Sequence, residues 1–255
     1  MKNFLVRLFT TVQRSLAKCA LDGHSNVRIN SSGLLYVFLM LFMSLCYTIL
    51  RYKFNFEWHA ATQQQIYELI AAPPFGKRVL ISLLSRPFVF CGLTVHIAFF
   101  LLEILSTFFI FSGLYHLFSS YVNERHARLM TVGMIFVLPL VFLLHTPNPW
   151  LFPWDTPAIA FIVWGVFFLL QGWWRYSVIL IFFATLNRES AILLPMMFLA
   201  LCIDRMPPKK ILAILLAQIF VYFGTSWLIT LTLADNLPFY EPLHGFASFS
   251  RNGVW

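Results

Sequence analysis

The sequence predicts an all-α polytopic membrane protein of about seven transmembrane segments, and three observations carry that expectation. Hydrophobic residues make up 60% of the 255 positions and charged residues only 11%, with a mean hydropathy of +0.77. So few charges cannot solvate the surface of a globular domain of this size. Apolar runs close to bilayer length alternate with short polar stretches, which is the pattern of helices crossing a hydrocarbon slab. Finally, 29 Phe and 8 Trp suit lipid-facing helices with aromatic residues at the interfaces.

The elements follow in order. Residues 1–20 hold Lys2, Arg7, Arg14 and Lys18 and no acid, with Phe4, Leu5, Leu8, Phe9, Val12 and Leu16 at helical spacing. That predicts an amphipathic helix lying on anionic lipid. Residues 1–33 therefore read as a cytoplasmic amphipathic N-terminal segment, and 34–255 as a single transmembrane domain. The first span is 34–50, followed by a polar outer loop, 51–87. Within it Ile66, Leu69 and Ile70 alternate with Gln63, Gln64 and Glu68, predicting a surface-parallel helix over 55–72 that Pro73-Pro74 ends. Residues 88–118 form a second span longer than the roughly 20 residues a bilayer needs, hence tilted or kinked.

Spans three and four are 129–144 and 158–171, on either side of a proline-rich loop, 145–157. Residues 177–203 are apolar except for Asn187-Arg188-Glu189-Ser190 in the middle. A straight helix would leave two charges at the bilayer centre at several kcal/mol each, so the run reads as two short helices meeting at a polar turn. The last span is 211–233.

The net charge of +8 does not point to nucleic acid, because the cations sit in clusters between apolar runs, where the positive-inside rule accounts for most of them. With the N-terminus inside, Lys2, Arg7, Arg14, Lys18, Arg28, Arg125, Arg128, Arg175, Arg205, Lys209 and Lys210 share the cytoplasmic side. Arg51, Lys53, Lys77, Arg78 and Arg86 crowd the outer loop against that bias. Cys19, Cys46, Cys91 and Cys202 form no CxxC pair, so neither a disulfide framework nor a zinc site is expected, and they read as small core residues.

Three groups of residues could carry chemistry. The outer loop presents Glu57-Trp58-His59, then Lys77-Arg78, then Arg86: a carboxylate, a histidine and cations at one membrane face, as transfer from a lipid phosphate would use. Solvated interfacial anchors are the plainer reading. Asp155-Thr156-Pro157 stands before the fourth span, where Asp155 serves either as a helix N-cap or as a second acid facing the same crevice. Asn187, Arg188 and Glu189 are costly at membrane depth unless they line a cavity or find partners. His145 begins the proline-rich loop and could join the site. Glu103, inside the second span, either pairs across helices with His96 or His116 or accepts a backbone bond in the bundle, a structural role in both cases. There is no P-loop, HExxH, GxSxG or dinucleotide fingerprint in the sequence, so nucleotide, zinc-protease and serine-hydrolase chemistry lack their usual residues.

Taken together, this layout resembles the GT-C superfamily of polyprenyl-phosphate-sugar-dependent glycosyltransferases. The resemblance lies in an acid after span one (Glu57), a basic-apolar run (Lys77-Arg78-Val79-Leu80 through Arg86-Pro87), an Asp-x-Pro at a helix head (Asp155-Thr156-Pro157) and a polar break between short helices (Asn187 to Ser190). It implies the superfamily's core seven-helix module in a bacterial cytoplasmic membrane, with the N-terminus in the cytoplasm, moving a sugar from a polyprenyl-phosphate donor to an acceptor on the extracytoplasmic face. It further implies Glu57 as base, Asp155 as second acid near the acceptor, and Arg78, Arg86 and Arg188 as phosphate contacts. His59, Lys77, His145, Asn187 and Glu189 complete the expected substrate-binding set. The implied partners are a polyprenyl-phosphate sugar donor and membrane lipid, with room for a partner subunit completing the module. No cofactor is implied, and divalent-metal dependence is left open. Two departures stand against the family pattern: the loop acid is Glu rather than Asp, and the chain stops after seven segments. A transporter or flippase of a lipid-linked or anionic substrate, or a non-catalytic assembly subunit, would use the same residues without bond chemistry.

Overall fold

The computed structural model describes residues 31–59, 61–71, 75–142, 150–203 and 205–233. The expected N-terminal amphipathic helix, the Pro73-Pro74 stop, His145 and the tail after Leu233 lie outside these. Residues 1–38 and 39–255 form two compact units. The described part of the first is the opening of helix α1, and every site residue below belongs to the second.

The ordered elements among the described residues are all helices, with no strand. In order they form α1 Ser31–Phe54, α2 Gln63–Glu68, a 3-10 turn Phe75–Lys77, α3 Val79–Phe90, α4 Val95–Ser119 and α5 Glu124–Phe142. Then come α6 Asp155–Leu170, α7 Trp174–Asn187, a second 3-10 turn Glu189–Ile192, α8 Leu193–Cys202 and α9 Pro208–Leu233. Helices α1 (over Gly33–Phe54), α4 and α9 are long and apolar enough to cross a membrane. Phe136 on α5 and Phe220 and Trp227 on α9 stand well exposed, Phe220 at 79%. Hydrocarbon is a better solvent than water for faces of that kind.

Several elements differ from the sequence expectation. The long second span divides into α3 and α4, because Gly92 takes φ +90° in the turn between them and Thr94 caps α4 by accepting from the Ile97 N–H. A residue with a Cβ would be strained at that φ. Much of the outer loop 51–87 is thus helix: Arg51 belongs to the last turn of α1, and Arg86 lies within α3. The surface helix expected over 55–72 shrinks to Gln63–Glu68, closed by a Thr62/Gln65 capping box and ended by Leu69 at φ 60°. Ahead of that helix, Phe56 bridges to Trp150 and Trp58 to Ala61. Helices α6 and α7, at 16 and 14 residues, fall short of the roughly 20 that an upright crossing requires. Of the cysteines described, Cys202 is buried, Cys46 half-buried and Cys91 exposed, so Cys91 is not the core residue expected.

Helix α4 packs along α6 and α5, and α7 along α9 and α6. The α4–α6 approach is close at Gly113, where an added Cβ would meet Val163 Cγ1 at 2.8 Å. Small residues allow helices to approach this far in lipid. The core that positions the site gathers Ala61, Ile66, Ile81, Phe99, Leu102 and Trp154, with Phe75 and Phe152 packed against it. It joins α2, α3, α4 and the head of α6. The anchor is Trp154, fully buried, which stacks with Phe75 at 5.4 Å and Phe152 at 5.2 Å, the two Phe rings also stacking on each other at 5.6 Å.

Candidate functional site

The buried centre of the site is Arg51, whose side chain is 0% exposed. A guanidinium without water must place its protons on acceptors and its charge beside a carboxylate. Arg51 Nη1 donates to Glu103 of α4 and to the Thr156 hydroxyl of α6, and Nη2 donates to the Phe152 carbonyl at 2.8 Å. Thr156 Oγ1 in turn donates to Glu103 at 2.5 Å. Three helices, α1, α4 and α6, are thereby tied at one point. This corrects the sequence expectation for Glu103: its partner is Arg51, while His116 packs against Trp164 and Phe167.

Asp155 extends the network outward. It is the first residue of α6 rather than its cap, which is Trp154 with no side-chain capping bond. Its carboxylate instead faces Arg51 Nη2 at 3.8 Å and accepts from Arg188 Nη1 at 2.7 Å. Arg188 ends α7 in an extended conformation (φ −164°, ψ 148°). The break turns its side chain back toward α6 and leaves it 39% exposed.

Glu189, the next residue, goes to a different cation: its carboxylate lies 3.5 Å from Arg78 Nε and is 47% exposed. Its backbone carbonyl accepts from the Tyr222 hydroxyl of α9 at 3.0 Å. Arg78 stands just before α3 and is nearly buried, its guanidinium 4.4 Å over the Trp154 ring and 5.0 Å from the Phe75 ring. Burial pulls the Arg78 guanidinium below its ordinary pKa; Glu189 counters this, Arg188 adds to it and Asp155 opposes it. Arg78, Arg188 and Asp155 therefore share one electrostatic neighbourhood. Asn187 is buried, its amide donating to the Trp154 carbonyl at 2.8 Å. It fixes the α7 end to the α6 head.

Glu57 sits in a second cluster. Its Oε2 accepts the Gln63 backbone N–H at 3.3 Å, and its Oε1 lies 3.3 Å from His96 Nδ1. The Gln63 side chain is buried, donating to the Tyr52 hydroxyl at 3.3 Å and meeting His96 Nδ1 through Oε1 at 2.8 Å. Tyr52 lies within the fields of Glu103, Arg51 and Glu57, which makes it the link between the two clusters.

The remaining expected residues are spread more widely. His59 is exposed, its ring edge-on to Trp58 at 5.9 Å. Lys77 is half-buried at the end of the first 3-10 turn. Arg86 is exposed and lines a cavity of about 420 Å³ with Tyr67, Glu68, Val89 and Phe90. Among the described residues no cluster of His, Cys, Asp and Glu could hold a metal ion.

Sequence reasoning missed Arg51, Thr156, Gln63 and His96 as site components. A signal existed for the first: Glu103 is the lone charge in its apolar run, and a buried acid demands a cation. Arg51 directly follows another such run. Comparison with known proteins matches this chain to no family model, no curated protein and no solved structure.

Proposed function

We propose that this chain is an integral membrane glycosyltransferase of GT-C type, moving a sugar from a polyprenyl-phosphate donor to an acceptor on the extracytoplasmic face. Its membrane would be a bacterial cytoplasmic membrane, with the N-terminus in the cytoplasm and about seven segments in the bilayer.

The observation that carries this reading is a juxtaposition. An apolar cleft of about 760 Å³ runs between α3, α4, α6 and α7, lined among others by Leu80, Ile81, Leu102, Pro157, Phe161 and Leu180. Leu80 follows Arg78 by two residues and Pro157 follows Asp155 by two, so the segments that carry these charged groups also line the cleft. A hydrocarbon groove beside cations suits an amphiphile with an anionic head and a long apolar chain. Arg78 and Arg188 would meet the donor phosphate. Glu189, half-exposed and the more loosely held of their two partners, is the carboxylate an incoming phosphate displaces. Asp155 keeps Arg188 aimed, and the Glu57 cluster supplies the base.

A second reading rests on the closure of charge. Arg51 with Glu103, Arg188 with Asp155 and Arg78 with Glu189 leave a balanced set that a flippase or a non-catalytic subunit could equally use. Purified protein in vesicles, given a short-chain polyprenyl-phosphate sugar and assayed for single-turnover transfer and for lipid flipping, separates the two. Transfer supports the enzyme; flipping without transfer overturns it.

A further inference from the structure

We propose that His96 Nε2, rather than a Glu57 oxygen, takes the proton of the acceptor hydroxyl, with Glu57 and Gln63 as positioning residues; this rests on the transferase reading. The argument starts from Gln63, whose side chain is 1% exposed. A buried amide must satisfy its groups, and Nε2 is committed to the Tyr52 hydroxyl. The atom facing His96 is therefore Oε1, which can only accept. At 2.8 Å the proton between them belongs to His96 Nδ1. Glu57 Oε1, 3.3 Å from the same nitrogen, is a second acceptor and favours the same placement.

A neutral imidazole protonated at Nδ1 carries its lone pair on Nε2. The His96 side chain is 68% exposed, so that lone pair is open to an incoming group. Glu57 is less free, with one oxygen on the Gln63 N–H and the other on His96. Asp155 is held by two guanidinium groups. A carboxylate orienting an imidazole, whose far nitrogen then abstracts a proton, is a recurrent base arrangement.

In the transfer the acceptor O–H bond breaks and its proton goes to Nε2. The oxygen forms the new bond to the sugar anomeric carbon. The bond from that carbon to the donor phosphate breaks, and its electron pair leaves with the polyprenyl phosphate.

Two measurements on the full chain test this. In nitrogen-15 spectra of histidine-labelled protein, at a pH where imidazoles are neutral, the His96 signal is identified by its loss in His96→Gln. It is expected to show Nδ1 protonated, the less common tautomer of free histidine, and to revert to Nε2-protonated in the Glu57→Ala/Gln63→Leu double variant. An Nε2-protonated parent overturns the proposal. In single-turnover transfer His96→Gln is expected to lower the rate roughly 10²–10⁴-fold, the usual worth of a general base, with donor binding changed less than about threefold. Glu57→Gln, which keeps an acceptor oxygen, should lose less. The reverse order assigns the base to Glu57 and overturns the proposal while leaving the transferase reading intact. A parent with no transfer overturns both.

Discussion

Arg188 Nη1 stands 2.7 Å from Asp155 Oδ1, across 33 residues of sequence, and this contact fastens the break between α7 and α8 to the head of α6. Arg188 and Glu189 are neighbours of opposite charge, yet each serves a different partner. Adjacent side chains on one backbone do not face each other, and the extended conformation of Arg188 separates them further. The outcome is a chain of ion pairs running from wholly buried (Arg51 with Glu103) to half-exposed (Arg78 with Glu189).

Asp155→Ala is expected to destabilise the protein by about 3–5 kcal/mol, because it removes the carboxylate facing two guanidinium groups. Arg188→Ala, at a half-exposed position, should cost less in stability and weaken donor binding by about 1.5–3 kcal/mol, the worth of a hydrogen bond to a charged group. Thermal unfolding in detergent and donor binding, measured on both variants, should separate the structural partner from the ligand-facing one.

Glu103→Ala is expected to be among the most damaging single changes, since it strands the buried Arg51 charge. Replacing both by apolar residues of similar volume, as in Arg51→Met/Glu103→Leu, should recover much of the loss, because neither desolvation cost then remains. A double-mutant cycle of unfolding free energies checks this. Additive losses would show that the two side chains are not coupled.

Arg78→Lys keeps the charge but loses the planar group lying over Trp154 and Phe75. Its expected cost is about 0.5–2 kcal/mol, the range for cation–π contacts from exposed to desolvated. Arg78→Lys should therefore rescue little of the donor affinity lost in Arg78→Ala, as titration of both variants with the same donor would reveal.

Leu105→Trp and Ser106→Trp place bulk in the apolar cleft lined by both residues. Affinity for a long-chain polyprenyl phosphate is expected to fall at least about tenfold, or 1.4 kcal/mol. Binding of a water-soluble sugar phosphate with no chain should be unchanged. Equal losses for the two ligands would show that the cleft does not hold the chain.

The legible part of the site was the part that violates a rule of the bilayer. Asn187 to Ser190 stood out because polar residues in the middle of an apolar run have no cheap place in hydrocarbon, and the structure breaks the helix there. Arg51 looked like an interfacial cation at the end of a span, since nothing in its local sequence names a partner 52 or 105 residues away. His96 was read only as a mate for Glu103. Its actual neighbours are Glu57, beside the Phe56–Trp150 bridge, and Gln63, the first residue of α2, both more than 30 residues away in sequence.

The sequence by itself determined that the chain is helical and apolar and where its polar break falls, because hydrophobic length and the cost of buried charge act locally. Tertiary structure alone decided that Arg51 is the buried hub and which carboxylate answers which guanidinium. Those choices depend on how close α1, α4, α6 and α7 approach, and ion pairing follows distance in space rather than order along the chain.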